Sequence, residues 1–329
     1  MNRRDMVLGL LSLGAAVRPL RVHAQRVAGK PARLGFLANL GPASGKHLVD
    51  CFRSGLRDLG WIEGKNIDIE YRWTEGLSER FPALAAELVR LQPDLIVSWS
   101  TPATQAAQRA THTIPIVMIA VSDPVTSKIV ASLARPGGNI TGVSNFLPAT
   151  SGKLLELLKR AVPGVSRIGV LHNPANSGKL IEVHELQAAG QTLRVAIQPL
   201  EVRSSNDFDG AFTKAVESKC DALVTLQEGL TLGNRSRILE FAAKNRVPAI
   251  YQIREFVEAG GLMSYGLNYC QHFKHAATHV DKILRGAYPG DLPVELPTTF
   301  ELVINLKTAK SMGLEIPQSL LVRADELIE

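Results

Sequence analysis

The chain has 329 residues, 45% hydrophobic and 21% charged, with 27 Gly and 18 Pro. This composition excludes disordered, collagen-like and coiled-coil chains, and the length is that of two domains. The net charge of +6 comes from 37 basic and 31 acidic residues, and half of it lies in residues 1–24, where Arg3, Arg4, Arg18 and Arg21 oppose Asp5 alone. The rest of the chain is too weakly basic to argue for nucleic-acid binding.

Residues 1–24 differ in kind from the rest of the chain. Arg3 and Arg4 precede an apolar run at 6–17 (MVLGLLSLGAAV), and a short polar stretch ends in Val22-His23-Ala24. These are the n-region, h-region and small-residue cleavage site of an export signal. The run is shorter than the roughly 20 residues of a spanning helix, so no permanent anchor is expected. Arg3-Arg4 is similar to a twin-arginine signal, but Met6 stands where Phe is preferred, and general secretory export stays open. No Cys stands at the cleavage point to carry a lipid. Cleavage near Ala24 and a periplasmic location are the expectation.

From residue 33 onward, short β-rich runs alternate with helical periodicities. Strands are predicted at 34–38, 67–73, 95–99 and 116–121, separated by helices at 47–59 and 78–91. Leu48, Phe52, Leu56 and Leu59 share one helix face, as do Phe81, Leu84, Ala85, Leu88 and Leu91. The pattern then restarts. Strands are predicted at 168–172, 197–202, 222–226, 249–251 and 262–265, with helices at 179–193, 207–218, 232–245 and 269–285. Residues 135–147, with the turn Pro136-Gly137-Gly138-Asn139, read as the join. Alternating strands and helices of this length predict an α/β fold with parallel sheets in two Rossmann-like lobes and a cleft between them.

In open parallel sheets, ligands bind beyond the carboxyl ends of the strands. The residues that follow the predicted strands are Asn39, Ser100, Thr101, Ser122 and Asp123 in the first half. In the second half they are Asn173, Gln227, Glu228, Gln252 and Tyr265. Hydroxyls and free amides at helix starts suit a ligand carboxylate, and Asp123 or Glu228 suits an ammonium. The same residue types are preferred helix caps, and Pro102 and Pro124 sit where a first helical turn favours proline. Capping accounts for any one of them; the set as a whole fits a ligand cleft.

Catalytic and cofactor motifs are missing. The stretch Gly41 to His47 is one residue short of a phosphate loop, and His47 replaces the hydroxyl that would hold Mg²⁺. No dinucleotide fingerprint follows the first strand, and no nucleophile elbow occurs. His272, His275 and His279 fall within one arc of a helix, flanking the face of Phe273, Ala276, Ala277 and Val280, and read as a polar flank rather than a metal site. Cys51, Cys220 and Cys270 lie far apart without a C-x-x-C pair, indicating neither a zinc site nor a disulfide framework. Trp61, Trp73 and Trp99 read as core or rim packing, and Trp99, next to Ser100, is the one of the three to consider for stacking on a ligand. No catalytic residue, metal or cofactor is expected.

Longer stretches carry a family resemblance. Val121-Ser122-Asp123-Pro124-Val125 is followed by Ile129 to Val143 (IVASLARPGGNITGV). With Phe256 to Gly266 (FVEAGGLMSYG) and the tail from Leu292 to Lys310, it resembles a family of ABC-transporter substrate-binding proteins. That family includes tryptophan- and tyrosine-binding members. The resemblance runs from Ala32 to Ile328. It implies a type I periplasmic-binding-protein fold without catalysis, its lobes joined by hinge crossovers. Lobe 1 would hold residues 32–145 plus about 270–292, and lobe 2 residues 146–269 plus about 293–329. Ser100, Thr101, Ser122 and Asp123 match the family's cleft loops, with Asn173 and Glu228 at the corresponding strand ends of the second lobe. Two departures are the histidines of the 268–279 helix and Lys128, placed at the start of a helix where Gly is usual.

The implied function is capture of a small polar or amino-acid-like ligand and delivery to a membrane permease with its ATPase, by a monomer that binds no nucleic acid. The alternatives are an exported enzyme or a sensory binding protein on the same scaffold. A transcriptional regulator would need a helix-turn-helix where the export signal stands.

Overall fold

The computed structural model describes residues 30–145 and 149–329. The export signal expected at residues 1–24 lies outside the described residues. The first half runs β1 (Ala32–Ala38), α1 (Pro42–Asp58), β2 (Ile67–Trp73), α2 (Phe81–Arg90), β3 (Leu95–Trp99), α3 (Thr101–Ala110), β4 (Ile116–Val121) and β5 (Ile140–Ser144). The second half begins α4 (Ala149–Ala161), β6 (Arg167–His172), α5 (Ser177–Leu193), β7 (Ala196–Glu201), α6 (Phe208–Glu217), β8 (Ala222–Thr225) and α7 (Gly229–Gly233). It continues α8 (Arg235–Lys244), β9 (Ala249–Tyr251), α9 (Glu255–Glu258), β10 (Met263–Gly266) and α10 (Tyr269–Leu284). The chain closes with β11 (Glu301–Asn305), α11 (Leu306–Ser311), α12 (Gln318–Leu321) and β12 (Glu326–Ile328).

Two sheets result. The first has the order β2-β1-β3-β4-β5, all parallel; the second has β12-β11-β10-β9-β8-β6-β7, parallel except where β10 meets β11. Parallel strands with helices on both faces must be apolar throughout, and every residue of β3 and β4 is buried. All the strands predicted from the sequence form. The helix expected from residue 47 begins earlier, with a proline in its first turn. The periodicity at 232–245 divides into α7 and α8 at Asn234.

The chain passes from the first sheet to the second after Ser144. It returns as α10, which packs on α1, β4 and β5, and leaves again through residues 293–300 to β11. On that last passage the Glu295 N–H donates to the Gly142 carbonyl and its carbonyl accepts from Ser144 N.

Several sequence expectations are corrected. The join at 135–147 contains β5, a fully buried outer strand of the first sheet. Cys51 and Cys270 form a disulfide across α1 and α10, with Cα atoms 5.3 Å apart and 219 residues between them in sequence. Spacing could not show this, because helix packing makes the pair. Trp99 is no ligand platform: it is 1% exposed and meets Phe273 edge to face at 4.9 Å. His272 and His279 are buried with the apolar face of α10, and only His275 is exposed. Lys128 begins no helix; residues 124–128 are turns, and Lys128 has φ of 55°. Among the described residues, no helix is long and apolar enough to cross a membrane.

Candidate functional site

Both sheets present the carboxyl ends of their strands to a common cleft, and each has a topological switch point there. In the first sheet the switch lies between β1 and β3, which lead into Asn39 and Ser100; in the second it lies between β6 and β8, which lead into Asn173 and, two residues on, Gln227. The backbone is strained around the first set. Ser100, Ala120, Asp123 and Lys128 have φ of 102°, 55°, 29° and 55°, conformations that cluster at functional sites.

The two lobes meet through side chains at these ends. Glu182, one turn into α5, accepts a hydrogen bond from Ser122 Oγ at 2.7 Å and from Gln252 Nε2 at 3.0 Å. Its cation is Lys179, at 2.6 Å and itself buried. Gln105 Nε2 donates to Ser177 Oγ at 3.4 Å. Backbone approach is tight enough to require glycine. A Cβ added at Gly178 would stand 2.6 Å from Ser122 Cβ and 2.8 Å from Thr101 Oγ1. At Gly229 it would stand 2.7 Å from the Asn39 side chain. Helix N-termini of the second lobe are therefore seated against strand ends of the first.

A cavity lies at this junction. Its walls are Ser122 and Asn145 from the first lobe, Glu182, Glu185 and Gln252 from the second, and Tyr265, Tyr269 and Phe300 beside the crossovers. It is small as it stands, about 30 Å³, room for one or two waters, so a larger ligand enters by parting the lobes. Among the described residues, no Lys or Arg lines it. Tyr265 and Phe300 stack at 5.6 Å. Tyr269 donates to Gln227 Oε1 at 2.9 Å and accepts from Asn145 Nδ2 at 3.3 Å, which leaves Asn145 Oδ1 buried without a partner among the described residues. Glu185 accepts from Ser151 Oγ and has no ion pair with a described residue. Burial raises its carboxyl pKa, and the charges of Glu182 and Asp123 add to the rise. The cavity thus combines the Glu185 carboxyl, a carbonyl oxygen without a partner among the described residues, and an aromatic pair.

Of the residues singled out from the sequence, Ser122, Gln252 and Tyr265 line this cavity. Gln227 stands one contact behind it, its N–H donating to Gln252 Oε1 at 2.7 Å. The others lie outside the cavity, Asn39 and Thr101 at the lobe contact. Ser100 caps α3 through Ala103 N, and Thr101 Oγ1 accepts from Ser122 N at 3.2 Å. Asp123 caps a turn through Thr126 N at 3.0 Å. Asn39 is buried against Gly229. Asn173 donates to Glu228 Oε1 at 3.2 Å and Asn176 to Oε2 at 3.4 Å, across the switch between β6 and β8. Burial raises the Glu228 pKa, and those amide donors oppose the rise. Asn145, Glu182, Glu185 and Tyr269 were missed. Three belong to helices and Asn145 follows the unrecognised β5; the available signal was the first turns of the helix after β6, which face a cleft in this topology.

The chain resembles known proteins in sequence and in fold. The chain is 31% identical over 264 residues to the tyrosine-binding protein of Clostridioides difficile, covering 80% of this chain and 76% of that one. The structure of an ABC domain in complex with L-Trp from Streptococcus pneumonia is 28% identical and superposes with a TM-score of 0.84, over 91% of this chain and 100% of that one. The ligand-free, open structure of a substrate binding protein with adhesive properties from Clostridium difficile is 27% identical over 91% of this chain and 99% of that one, with a TM-score of only 0.64. At equal coverage of this chain and similar identity, it superposes better on the L-Trp complex than on the ligand-free, open structure. The family described as ABC transporter substrate binding protein matches residues 40–328, and the chain belongs to that family of solute-binding proteins, which are not enzymes.

Proposed function

We propose that this chain captures an amino acid in the interlobe cavity, holds its ammonium between Glu185 and Asn145 Oδ1, and delivers it to a permease and ATPase at the membrane. The observation that carries the reading is the pairing, in one cavity, of acceptors lacking a cation with the Tyr265–Phe300 stack. A half-buried carboxylate beside a buried carbonyl oxygen favours a bound cation, because water screens them less than at the open surface. The stacked rings favour a flat apolar side chain, in keeping with the tyrosine named for one relative and the tryptophan named for another. Ser122 and Thr150 supply hydroxyls at the same cavity. Export by residues 1–24, cleavage near Ala24 and action in the periplasm as a monomer belong to the same proposal, supported by the sequence of that segment.

Binding stabilises the closed arrangement by as much as the ligand prefers it over the open one. Asn39 and Thr101 would act in this scheme at the lobe contact, Ser100, Asp123, Asn173, Gln227 and Glu228 by holding the strand-end loops, with Ser122 and Tyr265 touching the ligand. The test is calorimetry with L-tyrosine, L-tryptophan and their amine-free analogues. Saturable binding of the amino acids and weaker binding of the analogues support the proposal; equal binding of both would refute the ammonium site.

A further inference from the structure

α1 and α10 cross so closely that a Cβ at Gly55 would stand 2.6 Å from the Lys274 carbonyl oxygen. Near one end of this crossing three donor groups converge. The His47 imidazole nitrogen and the Cys51 and Cys270 sulfurs all lie within 4.8 Å of one another. His47 and Cys51 are four residues apart on α1, the spacing that stacks two side chains on one helix face. Cys270 is in the first turn of α10, where free backbone amides favour a thiolate over a thiol. His47 is exposed and Cys51 buried, so the cluster has a protein floor and an open side. In the structure the two sulfurs are bonded to each other, and a bonded pair offers no thiolate.

We propose that reduction of the Cys51–Cys270 bond converts this cluster into a Cys₂His site for a borderline divalent cation such as Zn²⁺, so that the oxidised protein excludes the metal and the reduced protein binds it. The reductant is a dithiol. It gives two electrons and two protons to the disulfide, becomes a disulfide itself and leaves two cysteine thiols. The cation then displaces both thiol protons, which pass to solvent. Tetrahedral zinc holds its sulfurs roughly 3.8 Å apart, a separation reached by side-chain rotation. The fourth position falls to water. Cys220 stands apart and half-buried and takes no part.

The experiment titrates Co²⁺ into the full chain before and after phosphine reduction and follows the thiolate-to-cobalt charge-transfer band in the near ultraviolet. The reduced protein is expected to take up one Co²⁺ per chain with that band, and the oxidised protein none. His47→Ala, a change at an exposed position, should weaken binding by roughly tenfold or more; Cys270→Ser should abolish the band, and Cys220→Ser should leave it unchanged. Absence of the band after reduction overturns the proposal. So does equal binding by the oxidised protein, or affinity that His47→Ala does not lower. If reduction loosens the fold, Co²⁺ should restore the native near-ultraviolet dichroism, and failure to restore it counts against the site equally.

Discussion

Glu185 bears the charge on which the ligand reading turns. Glu185→Gln keeps the shape and removes the charge, and a hydrogen bond to a charged group contributes about 1.5–3 kcal/mol. Affinity for an amino acid should therefore fall about tenfold or more, with the amine-free analogue unaffected, as read by calorimetry. The same affinity should decline on acidification from a pH above 4.5, because burial, Glu182 and Asp123 raise the Glu185 pKa and a protonated carboxyl no longer attracts an ammonium. His272 makes a separate prediction. Burial, with a smaller push from His275, lowers its pKa from 6.5 to about 4. Between those values the unfolded chain binds a proton that the folded one does not, so stability present above pH 6.5 is lost as the pH falls towards 4. At pH 5 the loss from this group is about 2 kcal/mol. His272→Leu should accordingly show a smaller fall in Tm from pH 7 to pH 5 than the parent chain, and an equal fall would contradict the account. Ser122 and Tyr265 were legible because they lie at strand ends. Glu182 and Glu185 were not, since with Lys179 they read along α5 as an ordinary solvated ion-pair face.

The helix N-termini of the second lobe set how the cleft closes. Gly178 and Gly229 have no room for a Cβ against Ser122, Thr101 and Asn39, and those contacts exist only when the lobes meet. Gly178→Ala should leave the ligand-free Tm nearly unchanged while weakening the ligand about tenfold or more, because the binding-competent state is less populated. A large loss of ligand-free stability would instead mark Gly178 as part of the lobe's own packing. The Cys51–Cys270 bond ties α1 to α10, next to the cavity-lining Tyr269. Its removal by Cys51→Ser should cost about 2–5 kcal/mol of stability in the oxidised protein, as for other long-loop disulfides, measured by denaturant unfolding. These features lie at the limit of sequence reading. The alternation of strands and helices was visible, since buried parallel strands are nearly pure apolar runs. β5 was not, because Ile-Thr-Gly-Val-Ser follows a Pro-Gly-Gly-Asn turn and contains a glycine. That glycine is required: Gly142 has φ of 137°, and a Cβ there would stand 2.2 Å from the Met118 carbonyl oxygen.

At the scale of the molecule, the sequence conveyed two α/β lobes and a polar cleft, because periodicity and strand-end chemistry are local. It did not convey which strand ends touch each other and which touch the cavity, because that depends on the relative setting of the lobes. Here Ser122 meets Glu182 across the cleft, and the residual cavity is too small for an amino acid without opening. Binding therefore requires an open state that admits ligand and a closed one that retains it. The most direct test is calorimetric titration of the parent chain and its Glu185→Gln and Gly178→Ala variants with L-tyrosine and L-tryptophan. The account predicts one site per chain for at least one of these amino acids, weakened about tenfold or more in both variants. Binding of neither amino acid by the parent chain, or binding that both variants leave unchanged, would contradict it.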